Sequence, residues 1–583
     1  MGWAGAATVD NPHVQALNLT EDGIPLTYRI VKSGPDSALW EKEEAKELDK
    51  LIDETKTIHA IQPYEQPVDR RGDTTYYNPQ PAEKMIEGVK TRRIRGVCGG
   101  DKVKYAGDVS ARTAEMSEVK TMLNAVVSEG EQWMTLDIKD FYLGTPMERP
   151  EYMRIAVKMI PTETMEKYGL DKFVHDGMVL FQIDKGMYGL PQAGLLAQQR
   201  LVTHLGEHGY AQAPHNPCTF RHQERQTAFT LVVDDFGVKY RSKEDADHLI
   251  ETLEKLYKVK VNLAGSKYLG YHIQFTDDRR QVSLSMPDYL PKVHQRFQAR
   301  LAALDHRGAA SPAVYSPPVY GSHSQMTEVD DSSPASEEQT KELQEIVGCF
   351  MYYARAVDGT MLPAVNHIAS EMKAPTQRVL AMADRMLAYS LEYPNNELVF
   401  TASDMILYVQ TDASYLSRSE ARSVVGVVEY LGNKDQPTHI NGAIHAVSSI
   451  IDVVVASAAE AEYAGVFTGA RHAEGTRALL DFLGHPQPPT ITLCDSACAV
   501  GIANDKVKIK RAKSIDMRFH WVRDRIRQGH FQVQWRKGAH NLADFYTKAL
   551  PVHKHLELMP FLVHVPQNRH VGTTQRRARR APK

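Results

Sequence analysis

Residues 231–240 have the sequence LVVDDFGVKY, in which Asp234 and Asp235 separate two short apolar runs. This pattern is typical of a tight β-hairpin whose turn presents acidic side chains. A third acid, Asp137, follows the apolar run that opens TLDIKDFYLG, residues 135–144. Since two neighbouring strands can bring such acids together, the sequence predicts a cluster of three carboxylates.

A carboxylate cluster of this kind suits phosphoryl transfer. Two divalent cations about 3.5–4 Å apart activate the attacking hydroxyl and stabilise the leaving group. Magnesium prefers hard oxygen ligands. An Asp-Asp pair in a turn is weak evidence by itself, because Asp is a common turn residue. The order of the surrounding motifs therefore decides whether the Asp-Asp pair is interpreted as a metal site.

Four further acids recur in the C-terminal part of the chain. They are Asp412 in VQTDASYL, Glu460 in ASAAEAEYAGVF, Asp495 in TLCDSACAVGIAND and Asp544 in HNLADFYTKAL. The first and third end strand-like runs, whereas the second opens a helix. Each acid alone is more typical of a turn or a helix cap, but four in this order indicate a second two-metal site that cleaves a phosphodiester.

The chain of 583 residues is too long for one hydrophobic core, so several domains are expected. Alternating strand-like and helical runs from about residue 90 to 275 indicate an α+β domain, and those after residue 399 indicate a compact α/β domain. A stretch rich in Pro, Ser and acids indicates a linker. The predicted divisions are a lead-in segment (1–45), a first domain (46–300), a flexible linker (301–340), connecting helices (341–398), a second domain (399–550) and a basic tail (551–583).

The net charge of -3 argues against nucleic-acid binding until its distribution is considered. Lys and Arg gather in residues 506–527 and again in the tail, although a solvated helix face is an alternative explanation. The five scattered cysteines indicate neither a zinc knuckle nor a disulfide framework. No apolar run predicts a membrane span and no signal peptide is recognisable, so we expect an intracellular protein without a membrane partner.

The succession of motifs resembles the copia-type LTR retrotransposon polyproteins over roughly residues 40–550. Asp137 is followed by Tyr142, by KGMYGLPQAGLLAQQRL, by the Asp-Asp hairpin and by SKYLGYHIQF, as in the reverse transcriptases of that family. The runs SAAEAEY, CDS, KSIDMRFH and ADFYTK similarly resemble the family's RNase H. The resemblance implies a multidomain α+β protein, with the fingers, palm and thumb of a reverse transcriptase followed by an α/β RNase H-like domain.

The resemblance also implies roles for individual residues. Two Mg2+ ions per site, with Mn2+ as an alternative, would be held by Asp137, Asp234 and Asp235 in the polymerase and by Asp412, Glu460, Asp495 and Asp544 in the RNase H. The other implied roles are exclusion of a ribose 2′ hydroxyl by Tyr142, shaping of the nucleotide pocket by Gln192, triphosphate binding by Arg93 and Arg95, and a grip on the primer by Tyr268, Leu269 and Gly270.

Several of these assignments have alternatives. Tyr142 could serve only core packing, and Gln192 could be a helix cap or a surface amide. Glu460 is preferred to Glu462 by its motif position, since local spacing does not decide between them. His520 and His540 could assist proton transfer, but a structural role is expected for each. One departure from the family is Val232, which stands where many reverse transcriptases have an aromatic residue.

The implied partners are an RNA template, a DNA primer, an RNA/DNA hybrid and dNTPs, together with other products of a retrotransposon polyprotein. A cytoplasmic virus-like particle is the expected location, with the nucleus as an alternative. Two alternative functions compete with this one: a catalytically inactive, domesticated element that only binds nucleic acid, and another palm-type nucleotidyltransferase. Seven candidate metal-binding acids argue against the first, and the order of the last four argues against the second.

Overall fold

The computed structural model describes residues 18–20, 24–86, 89–317, 330–506 and 516–566. The chain divides into two compact units. The first comprises the described residues of 1–114, 134–212 and 217–264, and the second those of 115–133, 213–216 and 265–583. The units do not follow the predicted divisions, because residues 115–133 and 265–300 pack with the C-terminal part of the chain.

The described strands and α-helices are numbered here along the chain. The strands are β1 Ile58–Ile61, β2 Thr75–Ile86, β3 Val89–Cys98, β4 Gln132–Lys139, β5 Pro146–Ala156, β6 Val174–His175, β7 Met178–Lys185, β8 Tyr210–Gln212, β9 Thr219–His222, β10 Thr227–Val232, β11 Asp235–Tyr240, β12 Lys258–Asn262, β13 Lys267–Tyr268, β14 Tyr271–Phe275, β15 Gln281–Ser285, β16 Leu398–Thr401, β17 Ile406–Arg418, β18 Arg422–Gly432, β19 His445–Ile450, β20 Thr490–Cys494 and β21 Phe531–Trp535. The helices are α1 Tyr28–Ser33, α2 Ser37–Asp49, α3 Met116–Glu129, α4 Thr162–Tyr168, α5 Ala193–Glu207, α6 Lys243–Glu254, α7 Leu290–Arg296, α8 Gln298–Ala303, α9 Glu337–Ala356, α10 Leu362–Ser370, α11 Gln377–Glu392, α12 Ala458–Leu483, α13 Ala497–Ala503, α14 Asp516–Arg527 and α15 Val552–Leu558.

The first unit contains two sheets. One has the strand order β1-β7-β5-β2-β3, with β6 beside β7, and the other has the order β12-β4-β11-β10-β9-β8. In the second sheet β10 and β11 form the predicted hairpin, with Val232 opposite Asp235. Helices α5 and α6 bury Leu201 and Leu249 in one core with Phe229 of the sheet. The hairpin is therefore fixed on a packed layer of helices.

The predicted lead-in segment is part of this unit rather than a separate element. Trp40 of α2 is buried with Val31 and Ile94, and Leu48 joins the main core of the first sheet. The spacing of Leu39, Leu48, Leu51 and Ile52 among charged residues predicts an amphipathic helix over residues 37–60. Leu39, on its predicted apolar face, is nevertheless 44% exposed. The reason is that Trp40, one position further along, supplies the buried contact. Residues 1–17 and 21–23 of this segment lie outside the described residues.

The second unit also contains two sheets. One has the order β13-β14-β15-β16, and the other has the order β19-β18-β17-β20-β21. In the latter sheet β17 is antiparallel to β18 and parallel to β20, and β20 is parallel to β21. This mixed sheet confirms the prediction of an α/β domain in the C-terminal part of the chain. It includes β19 and β21, which the sequence patterns did not indicate.

Helix α12 lies very close to β17 because two glycines face the strand. A methyl group on Gly469 would come within 2.7 Å of Thr411 Cγ2 and 3.0 Å of Val409 Cγ1. One on Gly465 would come within 3.3 Å of the Asp412 carbonyl oxygen. Since real side-chain carbons do not tolerate the shortest of these distances, the glycines set the spacing between helix and sheet.

The ends of the predicted linker are packed against the protein. Helix α8 continues to Ala303, and Leu301 is buried. Ser311 is buried and accepts a hydrogen bond from Arg385 of α11 at 3.0 Å. Residues 318–329 lie outside the described residues. Sequence composition marked the segment correctly as poor in apolar residues, but a few polar contacts suffice to attach its ends.

The C-terminal boundary predicted at residue 550 also falls inside folded structure. Helix α15 follows it, and Leu558 and Met559 are buried. Residues 567–583 of the predicted basic tail lie outside the described residues. Within the described part of the chain, no helix combines the length and the apolar character that crossing a bilayer requires.

The close approach of α12 to β17 makes a testable prediction. We expect Gly469→Ala to destabilise the C-terminal domain by about 1–3 kcal/mol, because the added methyl overlaps Thr411 and Val409. Gly475→Ala lies in the same helix with no atom within 4 Å of the added methyl, and should stabilise it by about 0.5–1 kcal/mol. Hydrogen exchange of the β17 amides measures both effects. Equal exchange in the two variants would contradict this packing.

Candidate active sites

The first carboxylate cluster consists of Asp137, Asp234 and Asp235, and neighbouring strands bring it together. Asp137 lies on β4, which pairs with β11, where Asp235 is the first residue. Asp234 occupies the turn between β10 and β11, and its carbonyl oxygen accepts a hydrogen bond from the Ile138 amide at 3.0 Å. The structure thus places the three predicted acids at one end of one sheet.

The turn that carries Asp234 has an unusual backbone. Val233 has a φ of 61°, in the left-handed region that β-branched residues rarely adopt. Such a conformation costs of order 1–3 kcal/mol and persists only where the surrounding structure imposes it. Here the pairing of Val232 with Asp235 closes a two-residue turn. This turn fixes the direction in which the Asp234 side chain projects from the hairpin.

The electrostatics of the cluster favour a cation. Burial and the nearby Asp137 carboxylate raise the pKa of Asp234 to about 6, while Arg95 and Arg93 act in the opposite direction. Loss of hydration first, and then the like charge of Asp137, disfavour the ionised form of Asp234. Carboxylate oxygens of this number and type fit a magnesium site, so the donor set suits the metal that the sequence implied.

Arg93 and Arg95 share one face of β3. They alternate with buried Ile94 on β3, and both lower the pKa of Asp234 by their positive charge. The Arg95 guanidinium also stacks on the Tyr188 ring, 4.3 Å from its centroid. The structure therefore brings both predicted phosphate-binding arginines towards the first cluster. Sequence analysis did not single out Tyr188, although it lies within the KGMYGLPQ motif.

Tyr142 and Gln192 line the interior of the first unit. The Tyr142 ring is half-buried and meets the Tyr188 ring edge-on, with centroids 5.3 Å apart. Gln192 is buried and donates from Nε2 to Glu151 Oε1 at 3.0 Å. It occupies the N-cap position of α5 without making a capping bond, so the helix-cap and surface-amide alternatives do not apply. Glu151 is fully buried and also pairs with Arg70 and Arg149.

Tyr268, Leu269 and Gly270 lie in the second unit, at the turn between β13 and β14. Tyr268 is buried against Trp133, with ring centroids 5.9 Å apart. The Leu269 carbonyl oxygen accepts a hydrogen bond from the Tyr352 hydroxyl at 3.0 Å. Leu269 and Gly270 both have positive φ, 50° and 83°. The turn is therefore held firmly, and its role towards a primer stays a prediction.

The second carboxylate cluster consists of Asp412, Glu462, Asp495 and Asp544. Asp412 lies on β17, and Asp495 follows the end of the parallel neighbour β20. Asp544 lies in the short helical segment Leu542–Tyr546. That segment is attached to β17 by two hydrogen bonds, from Asn541 Nδ2 to the Thr411 carbonyl and from the Leu542 amide to Gln410 Oε1, each 2.9 Å long.

Glu462, and not Glu460, belongs to this cluster. Glu462 can place a carboxylate oxygen within 4.8 Å of ligand atoms of Cys494 and Asp495. Glu460 instead accepts a hydrogen bond from the Ala456 amide at 2.7 Å, and its own amide bonds to Ser457 Oγ. Ser457 is thus the N-cap of α12, and the Glu460 carboxylate holds the residue before it, so this carboxylate is engaged at the start of the helix. Two positions along a helix differ by about 200° in direction, so only one of these acids can face the strand.

The four acids repel one another in a partly water-excluded site. Burial first, and then the neighbouring carboxylates, raise the pKa of Asp412 to about 7 and that of Glu462 to about 9. The same causes raise the pKa of Asp495. Divalent cations would remove this repulsion, and the donor set of four carboxylates fits them.

Sequence analysis overlooked Thr547 and Lys548, although both belong to the ADFYTK motif. The Thr547 hydroxyl donates to Asp412 Oδ2 at 2.5 Å, and Lys548 forms an ion pair with Asp544. Burial acts to lower the pKa of Lys548, but the carboxylates of Asp544, Asp412 and Asp495 raise it overall. Lys548 therefore acts as an internal counter-ion to the cluster.

The predicted basic helix is described only from residue 516. There Arg523 and Arg527 pair with Asp505, and Arg525 approaches Glu474. Residues 507–515 lie outside the described residues. His520 and His540 are both exposed. Part of the positive charge of this helix is thus neutralised within its own domain, which the sequence pattern alone did not reveal.

Comparison with known proteins identifies relatives of the chain. Residues 89–304 match the family model described as "Reverse transcriptase (RNA-dependent DNA polymerase)". The chain is 24% identical over 469 residues to "Retrovirus-related Pol polyprotein from transposon TNT 1-94" of Nicotiana tabacum, covering 79% of this chain and 33% of that protein. It is 22% identical over 485 residues to "Transposon Ty1-DR5 Gag-Pol polyprotein" of Saccharomyces cerevisiae, covering 79% and 26%.

The chain thus spans a third or less of the length of these relatives. Among solved structures, the foamy viral protease-reverse transcriptase dRH in complex with ds DNA covers 87% of this chain and 70% of its own. Its sequence identity to this chain is 13%, and the TM-score is 0.44. The family match and the two polyprotein relatives agree with the resemblance read from the motifs. Residues 89–304 thus match a reverse transcriptase domain, and the chain as a whole is similar to retrotransposon polyproteins.

Proposed function

We propose that the chain copies RNA into DNA at the first carboxylate cluster and cleaves the RNA strand of the resulting hybrid at the second. The observation that carries this proposal is the presence of two clusters of crowded, partly buried acids, in which the pKa values of Asp234, Asp412 and Glu462 are raised. Such perturbed groups gather where catalysis requires them. The substrates are an RNA template, a DNA primer and dNTPs, and then an RNA/DNA hybrid.

In the polymerase, Asp137, Asp234 and Asp235 would hold two magnesium ions. When bound, these ions would lower the pKa of the primer 3′ hydroxyl and compensate charge on the leaving pyrophosphate. Arg93 and Arg95, whose positive charges act on Asp234, would contact the triphosphate, since planar guanidinium groups suit phosphate oxygens. The ordered ring of Tyr142 would limit the space beside the sugar and so select deoxynucleotides.

In the RNase H, Asp412, Glu462, Asp495 and Asp544 would hold the metal ions. The Thr547 hydroxyl orients Asp412, and Lys548 compensates the charge of Asp544. Hydrogen bonds from the Asn541 side chain to the Thr411 carbonyl and from the Leu542 amide to the Gln410 side chain hold this segment against β17. These contacts keep the four acids in place before the hybrid arrives, which is what preorganised catalysis requires.

An inactive element that only binds nucleic acid is the less favoured function. Loss of catalysis would remove the need to hold seven acids in two strained or crowded clusters, because such arrangements lower stability. Each cluster nevertheless retains its supporting contacts, including the Val233 turn and the Thr547 bond to Asp412. Those contacts have no evident purpose in a protein that only binds.

The polymerase assignment predicts the effect of one substitution. We expect Asp234→Asn to reduce magnesium-dependent extension of a DNA primer on an RNA template by at least about 100-fold, because one metal ligand is lost. RNA cleavage by the same variant should be unchanged. Asp176→Asn is the matched control, since Asp176 is exposed in a turn with φ of 51°, a conformation that Asn tolerates. Extension that survives in Asp234→Asn would contradict the assignment.

The choice of Glu462 over Glu460 predicts opposite behaviour of two neighbouring variants. Glu462→Gln should reduce cleavage of the RNA strand of a hybrid by at least about 100-fold. Glu460→Gln should leave the cleavage rate near that of the unaltered chain and weaken the helix cap by about 1 kcal/mol or less. Cleavage of a labelled hybrid and thermal unfolding separate these effects. A loss of cleavage only in Glu460→Gln would restore the assignment made from the motif.

A further inference from the structure

The last turn of α5 carries a second kind of ligand cluster, in the run His204-Leu205-Gly206-Glu207-His208. His204, Glu207 and His208 can each present a ligand atom so that all three atoms lie within 4.8 Å of one another. The cluster lies in the first unit, twelve residues along the helix from Gln192, which corresponds to about 18 Å. It shares no residue with the first carboxylate cluster, and the proposed polymerase chemistry does not use it.

Hydrogen bonds fix the tautomer of both neutral imidazole rings. His204 Nε2 lies 2.7 Å from the Thr252 carbonyl oxygen, and His208 Nδ1 lies 2.8 Å from the His204 carbonyl oxygen. A carbonyl oxygen can only accept, so each of these ring nitrogens carries a hydrogen. In the neutral rings, His204 Nδ1 and His208 Nε2 consequently keep their lone pairs.

This arrangement is the one that orients histidines at metal sites. A ligating histidine usually donates its second ring N–H to a carbonyl or a carboxylate, which fixes the tautomer and the ring orientation. The neighbouring His222 differs, because its Nδ1 accepts the amides of Glu224 and Arg225 at 3.1 and 3.0 Å. The lone pair of that nitrogen is already used, so His222 does not share the ligand geometry of His204 and His208.

We propose that His204, Glu207 and His208 bind one zinc ion or a similar transition metal, with water completing the coordination. Two imidazole nitrogens and one carboxylate oxygen suit zinc rather than magnesium, which prefers oxygen ligands alone. Zinc bonds of about 2.0–2.1 Å place tetrahedral ligands roughly 3.4 Å apart. His204 is buried and fixed, whereas Glu207 is exposed, so Glu207 is the ligand that moves inwards.

The bound ion would stabilise one corner of the first unit. His204 already connects α5 to α6 through Thr252, and His208 lies at the C-terminal end of α5. A metal that joins both rings to Glu207 would hold the last turn of the helix closed. Because ligands are organised only in the folded chain, binding energy adds to folding stability.

Zinc binding is measured by equilibrium dialysis in excess magnesium, with the full chain carrying no histidine tag. Thermal unfolding of the same samples is followed in parallel. We expect His208→Ala and Glu207→Gln each to lose one bound zinc, or to bind it at least about 10-fold more weakly, and to lose the stabilisation that zinc gives the unaltered chain. His215→Ala is the control, because His215 is an exposed histidine outside the cluster.

Neither tested variant removes the buried His204, so both should fold. The visible absorption of added Co2+ gives a second readout, since nitrogen ligands alter it and variants without the site would not show the change. Equal zinc stoichiometry and affinity in all the chains would overturn the proposal. These measurements do not depend on DNA synthesis or RNA cleavage, so they stand or fail independently of the proposed enzymatic function.

Discussion

Repulsion between carboxylates that are held partly out of water is the constraint on which both sites depend. Asp234 faces Asp137, and Asp412 faces Asp544 and Asp495, with burial raising the pKa in each case. A folded chain gains no stability from such contacts. Nearby cations reduce the repulsion, namely Arg93 and Arg95 beside the first cluster and Lys548 beside the second. Divalent cations bound at the two clusters would neutralise the remaining negative charge.

The backbone around each cluster is built to keep these acids close. At the first cluster a two-residue turn with Val233 in the left-handed region directs Asp234. At the second cluster Gly465 and Gly469 let α12 approach β17, which brings Glu462 towards Asp412. Strain and close packing are tolerated where function requires them. Both devices are local, so the two units can each form their own site.

Local patterns in the sequence predicted much of this arrangement, because the hairpin and the strands that end in acids are set by neighbouring residues. The choice between Glu460 and Glu462 could not be made in the same way. The choice depends on which face of α12 meets the sheet. That face is decided by contacts of Gly465 and Gly469 with strands that are distant in sequence. Similarly, helical spacing could not reveal that Trp40, rather than Leu39, would be buried.

The most direct test of the account is the stability of the chain against pH, with and without magnesium. Asp234, Asp412 and Glu462, with pKa values of about 6, 7 and 9, hold protons that the unfolded chain releases near pH 4. Without metal, stability should therefore fall as pH rises from about 5 to about 9. Magnesium should restore it mainly at the high end, and less so in the Asp234→Asn, Asp412→Asn, Glu462→Gln triple variant. Stability that is independent of both pH and magnesium over this range would contradict the assignment of these clusters as cation sites.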